Sequence, residues 1–452
     1  LIKIQNFLDW DKLGYNSISD FINSQILNLN SPDSPENIAH IKSVAAKLSK
    51  KIDVALKLDP YKRLLLVCGL LIGINENESI IHMFNSSSGA TLLYDTIKRA
   101  LPTSKFSYEK KEQLLTSFRF IKDAPELQKE VTSGKKTGMP LKIVTDELLT
   151  KSLVGYSIID LMRESSHIDL LGHLFDVFTK YMQIGGSTGD IVLTPSHLTK
   201  FMSQIIDVNE DDYVLDITVG SGGFLISAMH EMETKVRKRK DLSQREKEEK
   251  ITHIKEEQLW GVEYDANMFA TCVSNMMLHG DGKSHIFRGD SLKKVELTRE
   301  EESKTYDELF AEVEFTKLLF NPPYTNQAEY IRNGLSFIKK NGRASIIVPK
   351  QTFTVSNPVI LEEIFKNNKL LQVIDLPAGQ FKTKNKVVGT DVAIFVFEAG
   401  VPQKFNEDIV TFIKLNKDEV GTKGKQKGIP SKKTEKIYDI LTKYIREGCL
   451  IE

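Results

Sequence analysis

The stretch VLDITVGSGGFLISAM, residues 214–229, combines a short apolar strand, a turn of small residues and the start of a helix. The strand ends at Asp216. The turn after it contains four small residues, Gly220, Ser221, Gly222 and Gly223. Small residues let the main chain approach a ligand at the edge of a doubly wound sheet, and a helix N-terminus favours an anionic group. Tight packing of the strand against the helix also selects small residues, so the stretch alone predicts the fold and leaves the site open.

Short apolar stretches alternate with helical ones on both sides of this turn. The predicted strands cover residues 213–218, 259–264, 285–290, 317–321, 344–349, 370–377 and 391–398. Strands that alternate with helices form mostly parallel sheets covered on both faces. Residues 161–400 are therefore predicted to form an α/β, doubly wound domain, with one of the last strands a candidate for antiparallel pairing.

The residues before this region have the apolar spacing of helices, and residues 1–160 are predicted to form a helical N-terminal domain. The apolar run at 64–74 is too short to span a bilayer and is predicted to be a buried helix. The polar, Gly-rich residues 131–140 are a candidate loop or boundary. The chain starts with Leu1 rather than Met, and we expect a fragment or a processed form.

Two further stretches are dominated by charge. Residues 231–257 mix both signs densely and are predicted to form one long, solvated helix. Residues 401–452 are predicted to hold a flexible linker rich in Lys and Gly, followed by a short amphipathic C-terminal helix. That helix either joins the core or docks onto a partner, and it is the candidate docking element of the chain.

The composition excludes several classes of protein. The 452 residues carry a net charge of zero, so any surface for nucleic acid must be a local patch. The three cysteines, Cys68, Cys272 and Cys449, lie far apart, and none forms a Cys-x-x-Cys pair. A disulfide framework, a zinc site or another metal site is therefore not expected, and a reducing cytoplasm is the expected location. No segment is expected to cross a membrane.

Acidic residues follow the next two predicted strands. Glu263 follows the second strand and Asp290 the third. A carboxylate at the second position can accept both hydroxyls of a ribose, and one at the third can meet the edge of an adenine. Together with Asp216 beside the Gly-rich turn, these acids describe an adenosine pocket, although each could instead cap the helix that follows it.

The fourth predicted strand leads into Asn321, Pro322, Pro323 and Tyr324. The prolines stiffen the chain, so that the Asn321 side-chain oxygen and the Pro322 main-chain oxygen can accept both hydrogens of one planar amino group. This pulls the amine nitrogen toward a more nucleophilic state. A methyl sulfonium needs mainly in-line positioning, and Tyr324 offers a ring for stacking a base that has left its duplex.

In this order, these residues resemble the adenine-N6 DNA methyltransferases, and most of all the modification subunit of type I restriction–modification systems. The resemblance covers about residues 165–400 and includes Thr194 and Pro195 in DIVLTPSHL and the segment LPAGQF. It implies S-adenosylmethionine as cofactor, with Thr194, Pro195 and the Gly-rich turn at its methionine end. It also implies double-stranded DNA with a flipped adenine as substrate, and Phe381 as an aromatic side chain near that base.

One part of the pattern departs from the family. Ile217, Thr218 and Val219 stand where the family usually has Pro-Ala-Cys, which places the turn geometry and cofactor affinity in question. Few residues follow position 400, so sequence recognition is expected from a specificity subunit or a fused target-recognition domain, with a restriction subunit as a further candidate partner.

Two other functions stay open. The same four-residue geometry can present a protein glutamine amide or an RNA base, and the altered turn also suits a DNA-binding assembly subunit with impaired catalysis. Methylation of cytosine C5 is excluded because it needs a nucleophilic Cys after Pro, and no Cys follows a Pro here.

Overall fold

The computed structural model describes most of this chain. It covers residues 35–101, 108–133, 136–152, 155–164, 170–179, 194–281, 285–293, 296–299, 302–377, 391–416 and 432–447. Phe381 lies outside the described residues, so its predicted position near the substrate is not addressed by the structure.

Where the structure describes the chain before the main sheet, it is mostly helical, as predicted. Its helices are α1 (Pro35–Leu56), α2 (Pro60–Glu76), α3 (Gly89–Ala100), α4 (Tyr108–Phe118), α5 (Phe120–Asp123), α6 (Pro140–Leu148), α7 (Ile158–Glu164) and α8 (Leu170–Thr179). Helix α2 begins where the Asp59 side chain accepts a hydrogen bond from the main-chain nitrogen of Lys62, with Pro60 in the first turn. Residues 64–74 are buried throughout, so the predicted buried helix is confirmed.

A small hairpin replaces part of the loop predicted at residues 131–140. Strands β1 (Val131–Ser133) and β2 (Lys136–Gly138) pair antiparallel. The hydroxyls of Thr132 and Thr137 lie 3.0 Å apart across the hairpin. Strands of three residues are too short to show an alternating pattern, so the sequence indicates only a turn.

The main sheet contains eight of the described strands. They are β3 (Val214–Asp216), β4 (Leu259–Glu263), β5 (His285–Arg288), β8 (Phe315–Phe320), β9 (Ile338–Pro349), β10 (Lys369–Asp375), β11 (Val392–Glu398) and β12 (Thr411–Lys414). Their order across the sheet is β12-β10-β11-β9-β8-β3-β4-β5. β11 runs antiparallel to both β9 and β10, and the other pairs are parallel. The α/β, doubly wound fold and a late antiparallel strand are thus confirmed.

Helices flank these strands on both faces of the sheet. They are α9 (Ser196–Ile205), α10 (Gly223–Lys238), α11 (Gln244–Glu257), α12 (Ala266–Leu278), α13 (Tyr306–Ala311), α14 (Gln327–Ser336), α15 (Thr352–Val355) and α16 (Pro358–Asn367). A separate hairpin, β6 (Glu296–Arg299) with β7 (Glu302–Thr305), precedes α13.

The strands divide their side chains between two hydrophobic clusters. Val214 and Leu319 belong to a cluster that also contains the helices before the sheet, whereas their neighbours Leu215 and Leu318 belong to a second cluster. Successive side chains of a strand point to opposite faces, so each face of the sheet has its own apolar layer. Burial on both faces explains why these strands are nearly continuous apolar runs.

Residues 231–257 form parts of two helices, so the prediction of one long helix was wrong. Helix α10 ends at Lys238, and Ser243 starts α11 through a capping box with Glu246. The two helices are tied by an ion pair of 3.0 Å between Lys255 and the fully buried Glu233. Because charged residues of both signs fill this stretch, no change in apolar periodicity marks the break between the two helices. The Ser-x-x-Glu signature of a helix N-terminus was nevertheless present in the sequence.

The residues after position 400 contribute to the sheet and to its helical layer. β12 pairs with β10 in parallel, beyond the predicted limit of the α/β region. Helix α17 (Lys432–Glu447) packs on α9, with the Tyr438 and Phe201 ring centroids 4.5 Å apart. This contact favours a helix that belongs to the core over one that docks onto a partner, because α9 already covers the side of α17 that carries Tyr438.

The described helices include none with the length and apolar character that crossing a bilayer requires.

Candidate active site

The site lies where the chain changes direction across the sheet. From β3, the chain passes to β4 and β5 on one side, and β8 and β9 follow on the other side. Ligands bind at such switch points, beyond the carboxyl ends of the parallel strands. β3 and β8 are neighbours with Leu215 opposite Leu318, so the residues that follow both strands emerge side by side.

The Gly-rich turn has the backbone that its glycines predict. Gly220 and Gly222 have φ angles of 56° and 90°, a left-handed region that other residues rarely adopt. A Cβ at Gly222 would lie 3.2 Å from the Sγ of Cys272, so the turn also packs closely on α12. Helix α10 begins at Gly223, which directs its first main-chain N–H groups toward this edge of the sheet.

The unusual residues of the turn are accommodated by two glycines elsewhere in the chain. A Cβ at Gly261 would lie 2.9 Å from the Cγ2 of Val219, and one at Gly334 would lie 3.1 Å from the Cδ1 of Ile217. Both substituted side chains are buried. The turn therefore keeps its course because the neighbouring strand and helix leave room for the larger side chains.

Glu263 connects the second strand to the turn. Its Oε2 accepts a hydrogen bond of 2.9 Å from the main-chain nitrogen of Gly220, and its Oε1 accepts one of 2.8 Å from Asp265. Burial is the main cause that raises the pKa of Glu263 to about 7. Each carboxylate oxygen has a second lone pair, so both can still accept a hydroxyl of a ligand.

Asp216 is fully buried beneath the turn. Its Oδ1 accepts a hydrogen bond of 2.9 Å from the main-chain nitrogen of Thr218, whereas its Oδ2 has no hydrogen-bond partner among the described residues. Burial raises the pKa of Asp216 well above its ordinary value, and the charge of Glu263 adds to this. A ligand that brings a positive charge or an N–H donor to this oxygen would remove the cost of its burial.

Asp290 lies beyond the carboxyl end of β5, in line with Glu263 at the end of β4. Its Oδ1 accepts a hydrogen bond of 3.0 Å from the main-chain nitrogen of Leu292, and its Oδ2 lies 3.4 Å from the Nζ of Lys293. The side chain thus caps the turn that follows it rather than a helix, and it lies at the predicted edge.

Asn321 joins three segments that are distant in the sequence. Its side-chain Nδ2 donates a hydrogen bond of 3.1 Å to the Oγ1 of Thr194, and its main-chain oxygen accepts one of 3.2 Å from the Oγ1 of Thr218. The donor end of the Asn321 amide is therefore engaged, and its oxygen is the end directed away from this contact. Pro195, next to Thr194, precedes helix α9 as its N-cap.

The residues after Asn321 differ in their exposure. Pro322 is buried, Pro323 is exposed and Tyr324 is half-buried. Because neither proline carries an N–H, the main-chain oxygens of Asn321 and Pro322 belong to peptide groups without donors. These two peptide groups can therefore accept hydrogen bonds but cannot donate them.

Two tyrosines that the sequence did not single out lie near the acids. Burial raises the pKa of Tyr61, and the charges of Asp265 and Glu263 raise it further. Burial and the charges of Asp290 and Glu263 likewise raise the pKa of Tyr330, which lies in α14. Tyr330 follows the four-residue motif closely and could have been inferred, whereas nothing in the sequence links Tyr61 to this site.

Within the described ranges, no group of three or more His, Cys, Asp and Glu side chains is arranged to hold a metal ion.

Comparisons with known proteins identify the family. The family model described as N-6 DNA Methylase matches residues 166–448. The chain is 26% identical over 438 residues to the type II restriction enzyme and methyltransferase RM.BcgI of Heyndrickxia coagulans, a match that covers 92% of this chain and 63% of that protein. It is 24% identical over 260 residues to the methylase subunit of the type I restriction enzyme EcoEI of Escherichia coli, covering 52% of this chain and 47% of that subunit.

Solved structures support the same fold. A chain of a type I restriction–modification system superimposes with a TM-score of 0.59 at 17% identity, covering 92% of this chain and 86% of that one. The type I methyltransferase subunit from Streptococcus thermophilus gives a TM-score of 0.50 at 15% identity, covering 92% and 94%. The chain spans less than two thirds of the length of the two curated relatives described above. Since the family match extends over more than half of the chain, this protein belongs to the N-6 DNA Methylase family.

Proposed function

We propose that this chain transfers a methyl group from S-adenosylmethionine to N6 of adenine in DNA, as the modification component of a restriction–modification system. The observation that supports this proposal most directly is the hydrogen bond of 3.1 Å from the Asn321 Nδ2 to the Oγ1 of Thr194. This contact engages the donor end of the amide and leaves the acceptor end for an amino group. It also brings the proposed catalytic residue to the segment proposed to hold the methionine end of the cofactor.

The residues around the turn fit S-adenosylmethionine. The buried Asp216 Oδ2, without a partner among the described residues, suits the ammonium group of the methionine end, together with Thr194 and the first main-chain N–H groups of α10. Glu263 has acceptor capacity for the two ribose hydroxyls. Asp290 and the neighbouring ring of Tyr330 suit the adenine. The cofactor supplies a methyl group on a positively charged sulfur.

Asn321 and Pro322 act on the substrate amine. The lone pair of an exocyclic amine on adenine is conjugated into the ring, which makes the nitrogen a poor nucleophile. The Asn321 Oδ1 and the Pro322 main-chain oxygen accept the two N–H hydrogens and favour a tetrahedral nitrogen with a localised lone pair. Correct placement, rather than a strong base, then supplies most of the rate.

A base inside a duplex cannot reach these acceptors, so the adenine must be flipped out. Tyr324 is half-buried beside Asn321 and offers a stacking surface. The sequence adds Phe381 as a second aromatic residue for this base.

Recognition of a DNA sequence is proposed to come from outside the described residues. The chain spans only 63% of its relative RM.BcgI, whose name combines a restriction enzyme with a methyltransferase. A specificity subunit or a fused target-recognition domain, and a restriction subunit, are the proposed partners, in the cytoplasm. The division at residues 160 and 400 into helical, methyltransferase and C-terminal parts is likewise a proposal.

The test is expression of the chain with its neighbouring reading frames in a host that lacks N6-methyladenine, followed by sequencing of modified bases. The expected result is N6-methyladenine at one recurring sequence, which is lost with Asn321→Ala. If the label from a methyl-labelled cofactor appears only in protein or RNA, the proposal that DNA is the substrate is overturned. Absence of cofactor binding in calorimetry would favour an assembly subunit with impaired catalysis.

A further inference from the structure

Thr218 lies in the turn after β3, and its hydroxyl makes a hydrogen bond. The Oγ1 of Thr218 donates a hydrogen bond of 3.2 Å to the main-chain oxygen of Asn321. Its own main-chain nitrogen donates one of 2.9 Å to Asp216. The turn proposed to hold the cofactor is thereby tied directly to the proposed catalytic residue.

The sheet register explains why this bond forms. Leu215 of β3 pairs with Leu318 of β8, and because the two strands run parallel, the residues after both leave the sheet at the same edge. Thr218 and Asn321 each follow their paired leucine by three positions, so they meet just beyond the sheet edge. Only a side chain with a hydroxyl close to its Cα can make this contact, and an alanine at position 218 could not.

The carbonyl that Thr218 holds is the only hydrogen-bonding group of its peptide unit. The next residue is Pro322, which has no N–H, so the Asn321–Pro322 peptide can be oriented by hydrogen bonding only through this oxygen. Rotation of that peptide would change the direction of the following carbonyl of Pro322 relative to the Asn321 side chain. These are the two groups proposed to accept the hydrogens of the substrate amine.

We infer that Thr218 is a positioning residue for methyl transfer: its hydroxyl fixes the peptide plane that aims Asn321 and Pro322 at the substrate amine. The inference rests on the proposed function. Thr218 touches neither the amine nor the methyl group and acts through Asn321. The Asn321 Nδ2 contact to Thr194 is the second support of the same side chain, so loss of Thr218 weakens the arrangement without abolishing it.

The variant Thr218→Val tests this because valine keeps the branched shape and removes only the hydroxyl. We expect kcat to fall about 10- to 100-fold, in line with the effect of a misplacement of about 1 Å at a reacting centre. The dissociation constant of S-adenosylmethionine should change less than about threefold, because the Thr218 main-chain bond to Asp216 stays. Thr218→Ser, which restores a hydroxyl, should recover most of kcat.

Thr116→Val is the matched control. The Thr116 hydroxyl bonds to the main-chain oxygen of Glu112 within α4, and its loss should leave kcat unchanged. Crystal structures of the wild type and Thr218→Val add a readout without activity, in which the main-chain oxygen of Pro322 should point in a different direction relative to the Asn321 side chain in the variant.

The outcomes distinguish failure of the positioning role from failure of the proposed function. If the wild type methylates DNA and Thr218→Val matches its kcat, the positioning role is overturned and the proposed function stands. A cofactor affinity that falls as much as kcat would also overturn it, since Thr218 would then act on the cofactor turn alone. If the wild type methylates no DNA, the proposed function fails, and an unchanged direction of the Pro322 carbonyl in the variant structure overturns the positioning role independently.

Discussion

At the scale of single residues, the two ends of the Asn321 amide have separate roles. The nitrogen donates a hydrogen bond to Thr194, and the oxygen is proposed to accept one from the substrate amine. Asn321→Ala should therefore abolish methyl transfer, with a loss of at least about 100-fold in kcat, because removal of one group that stabilises the developing charge costs about that much. Cofactor affinity should stay within about threefold.

The measurements are calorimetric titration with S-adenosylmethionine and a transfer assay on DNA. Asn367→Ala is the control, since the Asn367 side chain is exposed and donates a hydrogen bond to the main-chain oxygen of Glu363 within α16. An equal loss of binding and transfer in Asn321→Ala would contradict the assigned role.

Glu263 should make cofactor binding depend on pH near neutrality. Burial raises its pKa to about 7, and the ionised form is the better acceptor for ribose hydroxyls. Binding should weaken about tenfold between pH 8 and pH 6, because cofactor binding then requires loss of a proton. Titrations across this range should show that slope in the wild type, and Glu263→Gln should bind weakly with no such slope.

The same group sets a stability slope of opposite sign. The folded pKa of about 7 lies above the ordinary value of 4.5, so the folded state keeps a proton that the unfolded state has lost in this window. The contribution of Glu263 to the free energy of unfolding is therefore largest below pH 4.5 and is lost as pH rises to about 7, by up to roughly 3 kcal/mol. If the urea midpoints of the wild type and of Glu263→Gln change with pH in the same way over this range, the predicted contribution of Glu263 is contradicted.

Glu263 and Asn321 could be selected from the sequence as candidate site residues because each follows an apolar strand that can be recognised locally. It could not predict the bond from Thr218 to Asn321, which depends on the pairing of β3 with β8 across about 100 residues. Tyr61 was missed for a similar reason, because its place near Glu263 results from packing of α2 rather than from any local pattern.

At the scale of elements, the strand predictions held because strands buried on both faces are apolar runs. The elements that were missed are those without such runs. β12 alternates between half-buried and exposed residues at the edge of the sheet, and the hairpin of β6 and β7 consists of strands of four mostly polar residues. The break between α10 and α11 depends on a capping box rather than on glycine or proline.

The turn and strand β4 should behave as a coupled pair. A Cβ at Gly261 would lie within 3.1 Å of both the Cβ and the Cγ2 of Val219 and 3.0 Å from the Cδ1 of Ile286. Gly261→Ala should therefore destabilise the protein by about 1–3 kcal/mol through overpacking. Val219→Ala should relieve most of this cost in the double variant, because it removes the Cγ2 that the new methyl group meets.

Chemical denaturation of the wild type, the two single variants and the double variant measures the coupling directly. The two effects should be strongly non-additive, with the double variant more stable than their sum predicts. Additive effects would show that Val219 and Gly261 do not share this space.

At the scale of the whole molecule, the strand order is what assembles the site, and it is also what the sequence specifies least. The motifs follow one another along the chain, but β8 lies next to β3 rather than beyond β5. The helices before the sheet share a hydrophobic cluster with one face of it, so the sheet edge that carries the candidate site is supported by residues from both parts of the chain. Register and layer contacts of this kind arise from long-range packing and have no local signature.

The C-terminal helix provides a last test, because it links the end of the chain to the helix after Thr194. Tyr438 of α17 is 4% exposed, and its ring packs on Phe201 of α9, while Arg446 donates a hydrogen bond of 2.6 Å to the main-chain oxygen of Gln204. The Tyr438 hydroxyl is buried without a hydrogen-bond partner among the described residues. Tyr438→Ala should therefore lower the free energy of unfolding by about 3 kcal/mol, as expected for a buried aromatic residue.

Tyr438→Phe is the matched control and should be neutral or slightly stabilising, since it removes only the unpaired hydroxyl. Because α9 begins directly after Pro195, loss of the ring should also loosen the Thr194 segment, and Tyr438→Ala should weaken S-adenosylmethionine binding where Tyr438→Phe does not. Denaturation midpoints and calorimetric titrations measure the two effects. A destabilised Tyr438→Phe would show that the hydroxyl has a partner, and an unaltered Tyr438→Ala would show that α17 does not pack on α9 in solution.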